Sequence, residues 1–157
     1  MIMKTAISII SLLLFGLCCF ISQYCYINTT ASLPLGIYLK TEEAITPGVL
    51  VVFSPPKNLA EFVAKYTPKE TPLLKKVVAV EEESYYLPKA ATEDSKGRAV
   101  VPYFPRVGRV PHDHIIVQGE TIYSLDSRYL GPIPLEQIIT TVKPLFTWSD
   151  HAKASSR

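Results

Sequence analysis

Cysteine is scarce in this sequence, and its positions limit the chemistry that the protein can perform. The chain has 157 residues and three cysteines, Cys18, Cys19 and Cys25, which all lie in an apolar N-terminal stretch. The rest of the chain has no thiol for a disulfide, a metal ion or nucleophilic catalysis. Leu17 and Tyr24 precede Cys18 and Cys25, where a lipid-acceptor cysteine needs a small residue. These absences exclude a cysteine protease.

Glycine and excess charge are also scarce. The 7 glycines form no Gly-rich phosphate loop, and 16 Lys+Arg against 14 Asp+Glu give a net charge of +2. A nucleic-acid-binding protein of this size is expected to be far more basic. The composition therefore predicts no nucleic-acid partner and no nucleotide cofactor, and the length suits one domain with a short appendage.

Residues 5–27 contain no charged side chain. As a helix, residues 6–26 would be about 31 Å long at ~1.5 Å per residue, which is enough to cross a hydrocarbon core. Lys4 is the only charged residue before this segment, so we expect residues 1–4 to form a cytoplasmic N-terminus. A cleaved signal peptide is the alternative, but its apolar run is shorter and ends in small residues. We predict a transmembrane signal-anchor helix over residues 5–27.

All 13 prolines follow residue 33, and the segments between them are rich in Val, Ile, Tyr and Phe. This pattern is typical of short strands and turns, so we predict a mainly β domain over residues 28–148 and a flexible tail over 149–157. One helix is predicted at Asn58–Tyr66, capped by Asn58, and the polar stretch Lys89–Arg98 is interpreted as a solvated loop. The predicted strands are Gly36–Leu39, Val49–Phe53, Leu73–Val80, Ser84–Leu87, Ala99–Tyr103 and His114–Gln118.

A segment just after the apolar stretch combines small hydroxyl residues with Pro34 and Gly36. Such a segment can expose Ser32 on a bent backbone, but a serine needs an adjacent base to become a nucleophile. The three histidines of the chain are His112, His114 and His151. Nothing in the sequence marks one of them as that base. Two of them without a further set of ligands do not predict a zinc site either.

A lysine can replace histidine as the base if burial lowers its pKa. The apolar segment Leu73–Val80 contains Lys75 and Lys76, which lie on opposite faces of a strand. Alternation alone does not decide which of the two is buried. The other interpretation is an edge strand with two solvated lysines.

Four segments, in order, resemble the signal peptidase I superfamily and in particular the conjugative-transfer peptidases called TraF. They are residues 32–38 (Ser-Leu-Pro-Leu-Gly-Ile-Tyr), 47–53, 74–78 (Leu-Lys-Lys-Val-Val) and 110–131. The last segment ends in Asp-Ser-Arg-Tyr-Leu-Gly and is the most specific of the four. The resemblance implies a signal-peptidase/LexA-like β fold with one short helix, preceded by a single N-terminal transmembrane helix. It also implies a serine endopeptidase with a Ser/Lys dyad.

The resemblance assigns roles to the dyad and to an oxyanion hole. Ser32 matches the nucleophile, and Lys75 matches the base because the first lysine of the family's lysine box has that role. The resemblance therefore selects Lys75 over Lys76. The oxyanion donors are expected to be the Ser32 N–H and the Thr30 hydroxyl.

Further positions match supporting and binding residues of the family. Ser124 matches the residue whose hydroxyl orients the lysine, and Asp126 with Arg128 matches a buried ion pair. Leu33 and Leu74 match positions that help to line shallow pockets for small substrate side chains. The predicted site needs no cofactor and no metal.

The functional expectation is a membrane-bound peptidase that processes an exported precursor, in particular a conjugative pilin subunit, with cyclisation of the product as a further family property. We expect a single-pass protein of the bacterial inner membrane with a periplasmic catalytic domain. Its expected partners are the lipid bilayer, a membrane-inserted precursor with a signal peptide or a pilin sequence, and other proteins of the transfer or secretion machinery. The alternatives are a general type I signal peptidase and a non-catalytic, membrane-tethered β-domain that binds a secretion partner.

Overall fold

Antiparallel β-structure dominates the computed structural model of the chain. It describes the backbone of residues 2–68, 71–103 and 105–148, and their side chains except those of residues 2–6 and 8. The helices are α1 (Ile2–Tyr24), α2 (Ala60–Val63) and α3 (Ser127–Leu130). The strands are β1 (Cys25–Asn28), β2 (Gly36–Thr41), β3 (Leu50–Phe53), β4 (Leu73–Val80), β5 (Ser84–Tyr86), β6 (Val107–Arg109), β7 (His114–Gln118), β8 (Ile133–Pro134) and β9 (Ile138–Thr147). The mainly β prediction is confirmed.

Seven of these strands form one curled sheet in the order β1-β2-β9-β3-β4-β7-β8, and β5 pairs with β6 in a separate hairpin. Every neighbouring pair of the large sheet is antiparallel. The main core cluster lies on one face of β3, β4 and β7 and includes Val51, Phe53, Val77, Ile115 and Val117. These side chains alternate along their strands. Val52, Leu74 and Ile116 on the opposite face are buried as well, in two further clusters.

The predicted strands are confirmed with one exception. Strands β4 and β7 have the predicted bounds, but the prediction of a strand at Ala99–Tyr103 is wrong. Ala99 makes only an isolated bridge with Glu93, and the Tyr103 N–H donates to the Arg128 carbonyl at 2.7 Å. Pro102 has no N–H for a ladder, so this segment runs beside α3 and pairs with no strand.

The helix predicted at Asn58–Tyr66 is shorter than expected. A 3₁₀ turn at Lys57–Leu59 follows Pro56, and α2 ends at Val63. Asn58 lies inside the 3₁₀ turn, so its predicted role as the N-cap is wrong. The turn begins at Pro56, whose carbonyl accepts from the Leu59 N–H at 2.8 Å. The segment 89–98 forms a loop around a turn, as predicted.

The longest strand, β9, was not predicted from the sequence. It lies between β2 and β3 and carries Pro144, a residue that normally argues against a central strand. The pairing resolves this conflict, because β9 pairs with β3 only from Ile138 to Val142. Beyond Val142 only β2 pairs with β9, and a register shift occurs where Tyr38 faces Pro144. The proline therefore lies where the strand behaves as an edge.

The N-terminal helix α1 ends at Tyr24, short of the predicted boundary at residue 27, because Cys25–Asn28 pair with β2. Among the described residues, no helix combines the length and apolar character needed to cross a membrane. The anchor over residues 5–27 stays a prediction. The predicted tail over 149–157 lies outside the described residues.

Candidate active site

Ser32 and Lys75 lie next to each other in the folded chain, although 43 positions separate them in the sequence. Lys75 Nζ donates to Ser32 Oγ at 2.8 Å and to the Leu74 carbonyl at 2.9 Å. Ser32 lies in the loop between β1 and β2, and Lys75 lies in β4, where it faces Val51 of β3. The tertiary structure therefore joins the two residues that the sequence singled out.

Burial distinguishes the two neighbouring lysines of β4. Lys75 exposes 2% of its surface, whereas the side chain of Lys76 is 46% exposed and lies 4.0 Å from Glu120. Strand alternation places Lys75 on the face of Leu73 and Val77, which are both buried. The structure thus resolves the choice that alternation alone left open.

The environment of Lys75 favours its neutral form. Burial lowers the pKa of Lys75 from 10.5 to about 8, while Asp126 raises it and Arg128 lowers it. The two charges of this ion pair act in opposite directions, so desolvation is the main cause. A neutral amine at hydrogen-bond distance from a hydroxyl can accept its proton, which is the arrangement that an activated serine requires.

Hydrogen bonds and apolar contacts from several elements hold the loop that carries Ser32. The Glu120 N–H donates to the Ser32 carbonyl at 2.8 Å, and the Tyr38 hydroxyl donates to the Pro34 carbonyl at 2.6 Å. Leu33 packs into a buried cluster that also contains Leu74. The loop is therefore tied to β2, to β4 and to the chain that follows β7.

The predicted oxyanion residue Thr30 lies close to the nucleophile position. Thr30 Oγ1 is 3.4 Å from Ser32 Oγ and donates to Asn28 Oδ1 at 2.9 Å. Its backbone N–H donates to the same oxygen at 3.2 Å. The hydroxyl is thus near Ser32 Oγ but is hydrogen-bonded to Asn28.

Ser124 is buried beside the same loop, with 2% exposure. Its Oγ has no hydrogen-bond partner among the described residues, so the predicted orienting contact to Lys75 is not formed in this geometry. The position is nevertheless near the dyad, because Gly119 lies against both Ser124 and the Ser32 carbonyl. An orienting role for Ser124 stays a prediction.

Asp126 and Arg128 form a bidentate ion pair beneath the site. Arg128 Nε donates to Asp126 Oδ1 at 2.8 Å and Nη2 donates to Oδ2 at 2.7 Å, with side-chain exposures of 3% and 0%. Asp126 also accepts from the Gly119 N–H at 2.8 Å, and Arg128 donates to the Thr121 carbonyl at 2.6 Å. The pair therefore connects the end of β7 to α3 and shapes residues 119–128.

Leu33 and Leu74 lie next to Ser32 and Lys75 in the chain and are buried. Each exposes only 1% of its surface and packs with Tyr38, Val52 and Val142. In this structure they are core residues that support Ser32 and Lys75. Contact with substrate side chains stays a prediction for both.

Sequence reasoning missed two residues that shape this site. Asn28 is 1% exposed, and its side-chain amide donates hydrogen bonds to the loop that carries Ser32. Gly119 occupies a position where a Cβ would lie 2.9 Å from the Ser32 carbonyl oxygen and 2.7 Å from Ser124 Cβ. Gly119 belongs to the last segment of the resemblance and Asn28 precedes the first, and only their contacts reveal what they do.

A second polar cluster lies on the surface, formed by Glu81, His112 and Asp113. The His112 ring nitrogens lie 3.2 Å from Glu81 and 2.9 Å from Asp113, and these carboxylates raise the pKa of His112. The His112 side chain is 76% exposed. Such exposed acidic groups are common without a metal ion, and this cluster does not contribute to the site around Ser32.

Comparison with known proteins relates the chain to a family of peptidases. Residues 80–148 match the family described as signal peptidase, peptidase S26. This match, together with the relatives named TraF, supports the resemblance to TraF-type peptidases. It supports a peptidase as the general class of activity.

Several curated relatives carry the TraF name. The chain is 25% identical over 146 residues to a plasmid transfer protein TraF of Escherichia coli, with 78% of this chain and 82% of the relative covered. It is 29% identical over 146 residues to a conjugal transfer protein TraF of Agrobacterium fabrum, with the same coverage. A probable conjugal transfer protein TraF of Sinorhizobium fredii is 29% identical over 147 residues, with 78% and 77% covered.

Proposed function

We propose that the protein is a membrane-bound serine endopeptidase that uses a Ser32/Lys75 dyad to process an exported precursor during conjugal transfer. The observation that carries this proposal is the 2.8 Å contact between a buried lysine with a lowered pKa and a serine hydroxyl. The signal peptidase family supports a substrate with a signal peptide, and the relatives' names support a role in transfer. The specific precursor that we propose is a pilin subunit.

The proposed reaction uses Ser32 as the nucleophile and Lys75 as the base. Neutral Lys75 takes the Ser32 proton while Ser32 Oγ attacks the scissile carbonyl. The Ser32 N–H and the Thr30 hydroxyl stabilise the oxyanion. Protonated Lys75 then gives its proton to the leaving amine as the peptide bond breaks. A water molecule attacks the acyl-enzyme, Lys75 takes the water's proton, and Ser32 Oγ is released with a proton.

We further propose that the active site lies at the surface of the inner membrane, on its periplasmic side. Helix α1 continues directly into β1, and Ser32 follows β1 within a few residues. Ile27, Phe146 and Trp148 are about half exposed or more, at 49%, 62% and 53%. Phe146 faces Ile37, which in turn faces Ile27, so these apolar side chains lie near the end of α1. Such a surface suits contact with lipid and with a membrane-inserted precursor.

The test uses full-length protein in detergent with a pilin-type precursor and a generic exported precursor, followed by mass spectrometry of the products. Ser32→Ala and Lys75→Ala should abolish cleavage, whereas Lys76→Ala, on the exposed face of the same strand, should retain it. Cleavage by Ser32→Ala would refute the dyad. Binding of the precursor that survives both changes, without cleavage by the wild type, would indicate a non-catalytic binding domain.

The second candidate function is a general signal peptidase, which the family description supports. Comparing cleavage of the two precursors separates it from a dedicated transfer peptidase. Equal cleavage of both precursors would indicate the general enzyme, whereas cleavage of the pilin precursor alone would indicate the dedicated one. A pilin product lighter by one water than the linear form would show that its termini had been joined.

A further inference from the structure

Asn28 lies at the end of β1, four residues before Ser32, and is 1% exposed. A buried amide must have its donors and acceptor paired, because an unpaired buried polar group is costly. Five hydrogen bonds join the Asn28 side chain to Thr30, Leu33 and Pro34 of the loop that carries Ser32. The loop is therefore wrapped around this one side chain.

The amide nitrogen of Asn28 fixes the orientation of the amide relative to the loop. Nδ2 donates to the carbonyls of Thr30 and Leu33 at 3.1 Å each and to that of Pro34 at 3.0 Å. These carbonyls lie on both sides of Ser32 in the sequence. An amide has two protons, so the three carbonyls share them, and this arrangement leaves the amide oxygen facing Thr30.

The amide oxygen of Asn28 accepts two hydrogen bonds from one residue. The Thr30 N–H donates to Oδ1 at 3.2 Å and the Thr30 hydroxyl donates to it at 2.9 Å. A hydroxyl has a single proton, so in this state Thr30 Oγ1 presents only lone pairs to Ser32 Oγ, 3.4 Å away. The hydroxyl has the right position for an oxyanion donor, but its proton points to Asn28.

We propose that Asn28 is a positioning residue that acts through Thr30. It holds the Thr30 hydroxyl beside Ser32, and the hydroxyl turns its hydrogen bond from Asn28 to the oxyanion as negative charge develops, keeping its proton. This inference rests on the proposed function. This change of partner needs only a rotation about the Cβ–Oγ1 bond of Thr30, with no movement of heavier atoms. Asn28 Oδ1 keeps the Thr30 N–H as a partner, so the amide oxygen is not left unpaired.

Asn28→Ala removes the amide oxygen that accepts from Thr30, so the Thr30 hydroxyl is free to rotate away from Ser32. Loss of a complete oxyanion donor costs on the order of 10²–10³ in kcat, so we expect loss of its orientation to lower kcat by about 10- to 100-fold. KM should change little, since the donor is needed only in the transition state. Both constants are measured on full-length protein in detergent with a precursor peptide.

A double-variant cycle separates this role from a general structural one. In the background of Thr30→Val, which lacks the hydroxyl, Asn28→Ala should lower kcat by less than about fivefold, because the group through which it acts is already gone. Asn28→Ser, whose shorter side chain reproduces the turn more weakly, should lie between wild type and Asn28→Ala. It also provides a folded variant if Asn28→Ala does not fold.

Thr141 offers a matched control. It is 5% exposed, its Oγ1 donates to the Thr41 carbonyl at 2.8 Å, and it accepts from the Glu43 N–H at 3.1 Å, away from Ser32. Thr141→Val should lower the unfolding temperature without changing kcat. Near-UV circular dichroism and the unfolding temperature of each variant establish that the folded enzyme is being compared.

Two results would overturn the role of Asn28. One is a wild-type kcat for folded Asn28→Ala or Asn28→Ser, and the other is an equal loss with and without the Thr30 hydroxyl. Ser32→Ala is run in parallel, because its activity tests the proposed function separately. An inactive Ser32→Ala with a fully active Asn28→Ala refutes this inference alone, whereas an active Ser32→Ala refutes the dyad.

Discussion

Gly119 and Ser124 lie against each other with no space for a further carbon atom. A Cβ on residue 119 would lie 2.7 Å from Ser124 Cβ and 2.9 Å from the Ser32 carbonyl oxygen, and it would overlap Ser124 Oγ. The Gly119 N–H donates to Asp126 at 2.8 Å, so the backbone here cannot move away without losing that bond. The glycine therefore allows the loop that carries Ser32 to lie close to the buried Asp126–Arg128 pair.

We predict that Gly119→Ala strongly reduces peptidase activity and destabilises the fold by roughly 1–3 kcal/mol, the usual cost of overpacking. The added methyl group must displace either Ser124 or the Ser32 backbone. Replacing Ser124 by glycine in the same chain should restore part of the stability. Gly16→Ala is the control, since a Cβ there has no atom within 4 Å. Unfolding by urea and cleavage rates measure both effects, and normal activity of Gly119→Ala would contradict the packing argument.

The pH dependence of cleavage should follow the pKa of Lys75, which is about 8. Only the neutral amine can take the Ser32 proton, so kcat/KM should rise about tenfold per pH unit well below this value and level off above it. The measurement is kcat/KM for a peptide substrate from pH 6 to pH 10. A rate that levels off near the ordinary histidine pKa, about 6.5, would point to another base.

The stability of the folded chain should also depend on Lys75. Its pKa is about 8 in the folded protein against 10.5 for an unburied lysine, so the unfolded chain binds more protons between these values. The free energy of unfolding should therefore rise with pH across this window, by up to about 3 kcal/mol at ~1.4 kcal/mol per unit. This contribution is complete above 10.5 and is lost as the pH falls through 8.

Lys75→Met makes this dependence measurable, because it removes the titrating group and keeps an apolar stem of similar length. We expect the variant to be inactive but more stable than wild type near pH 7, with the difference shrinking as the pH rises towards 10.5. Lys76→Met, at the exposed neighbouring position, should show a small difference that does not change with pH. Parallel stability curves for wild type and Lys75→Met would contradict the lowered pKa.

The buried ion pair should be essential to stability. Arg128→Met leaves the Asp126 carboxylate without its guanidinium partner, and we expect it to destabilise the protein by about 3–5 kcal/mol and to lower activity. Arg98→Met removes a surface ion pair with Asp94, whose arginine is 45% exposed, together with a hydrogen bond to the Lys65 carbonyl, and should destabilise the protein much less. Chemical unfolding of both variants tests the contrast. Similar costs for the two would show that the buried pair has no special role.

Much of this protein could be predicted from local patterns. The apolar residues of 73–80 and 114–118, bounded by proline, glycine and charged turn residues, predicted the bounds of β4 and β7. The resemblance paired Ser32 with Lys75, which lie in distant segments, and the structure places Lys75 Nζ 2.8 Å from Ser32 Oγ. The local residue pattern was enough for the strands, and the pair needed the family resemblance as well.

Other features depend on contacts that no local pattern shows. Strand β9 contains Pro144, which argues against a central strand, so its position between β2 and β3 was not predicted. It pairs with both neighbours only over part of its length. The segment 99–103 has strand-like composition, but Pro102 has no N–H for a ladder and the Tyr103 N–H donates to the Arg128 carbonyl of α3. Asn28 has no recognisable chemistry in the sequence, since its role arises from the carbonyls gathered around it.

The sequence by itself determined which chemistry is available: a hydroxyl and two lysines in segments of the right order, with no thiol after residue 25. Only the tertiary structure decided which lysine has a lowered pKa. Lys75 lies on the buried face of β4 between β3 and β7, while Lys76 faces the solvent beside Glu120. Desolvation is a property of the surrounding chain, so it appears only once the sheet has formed around the lysine.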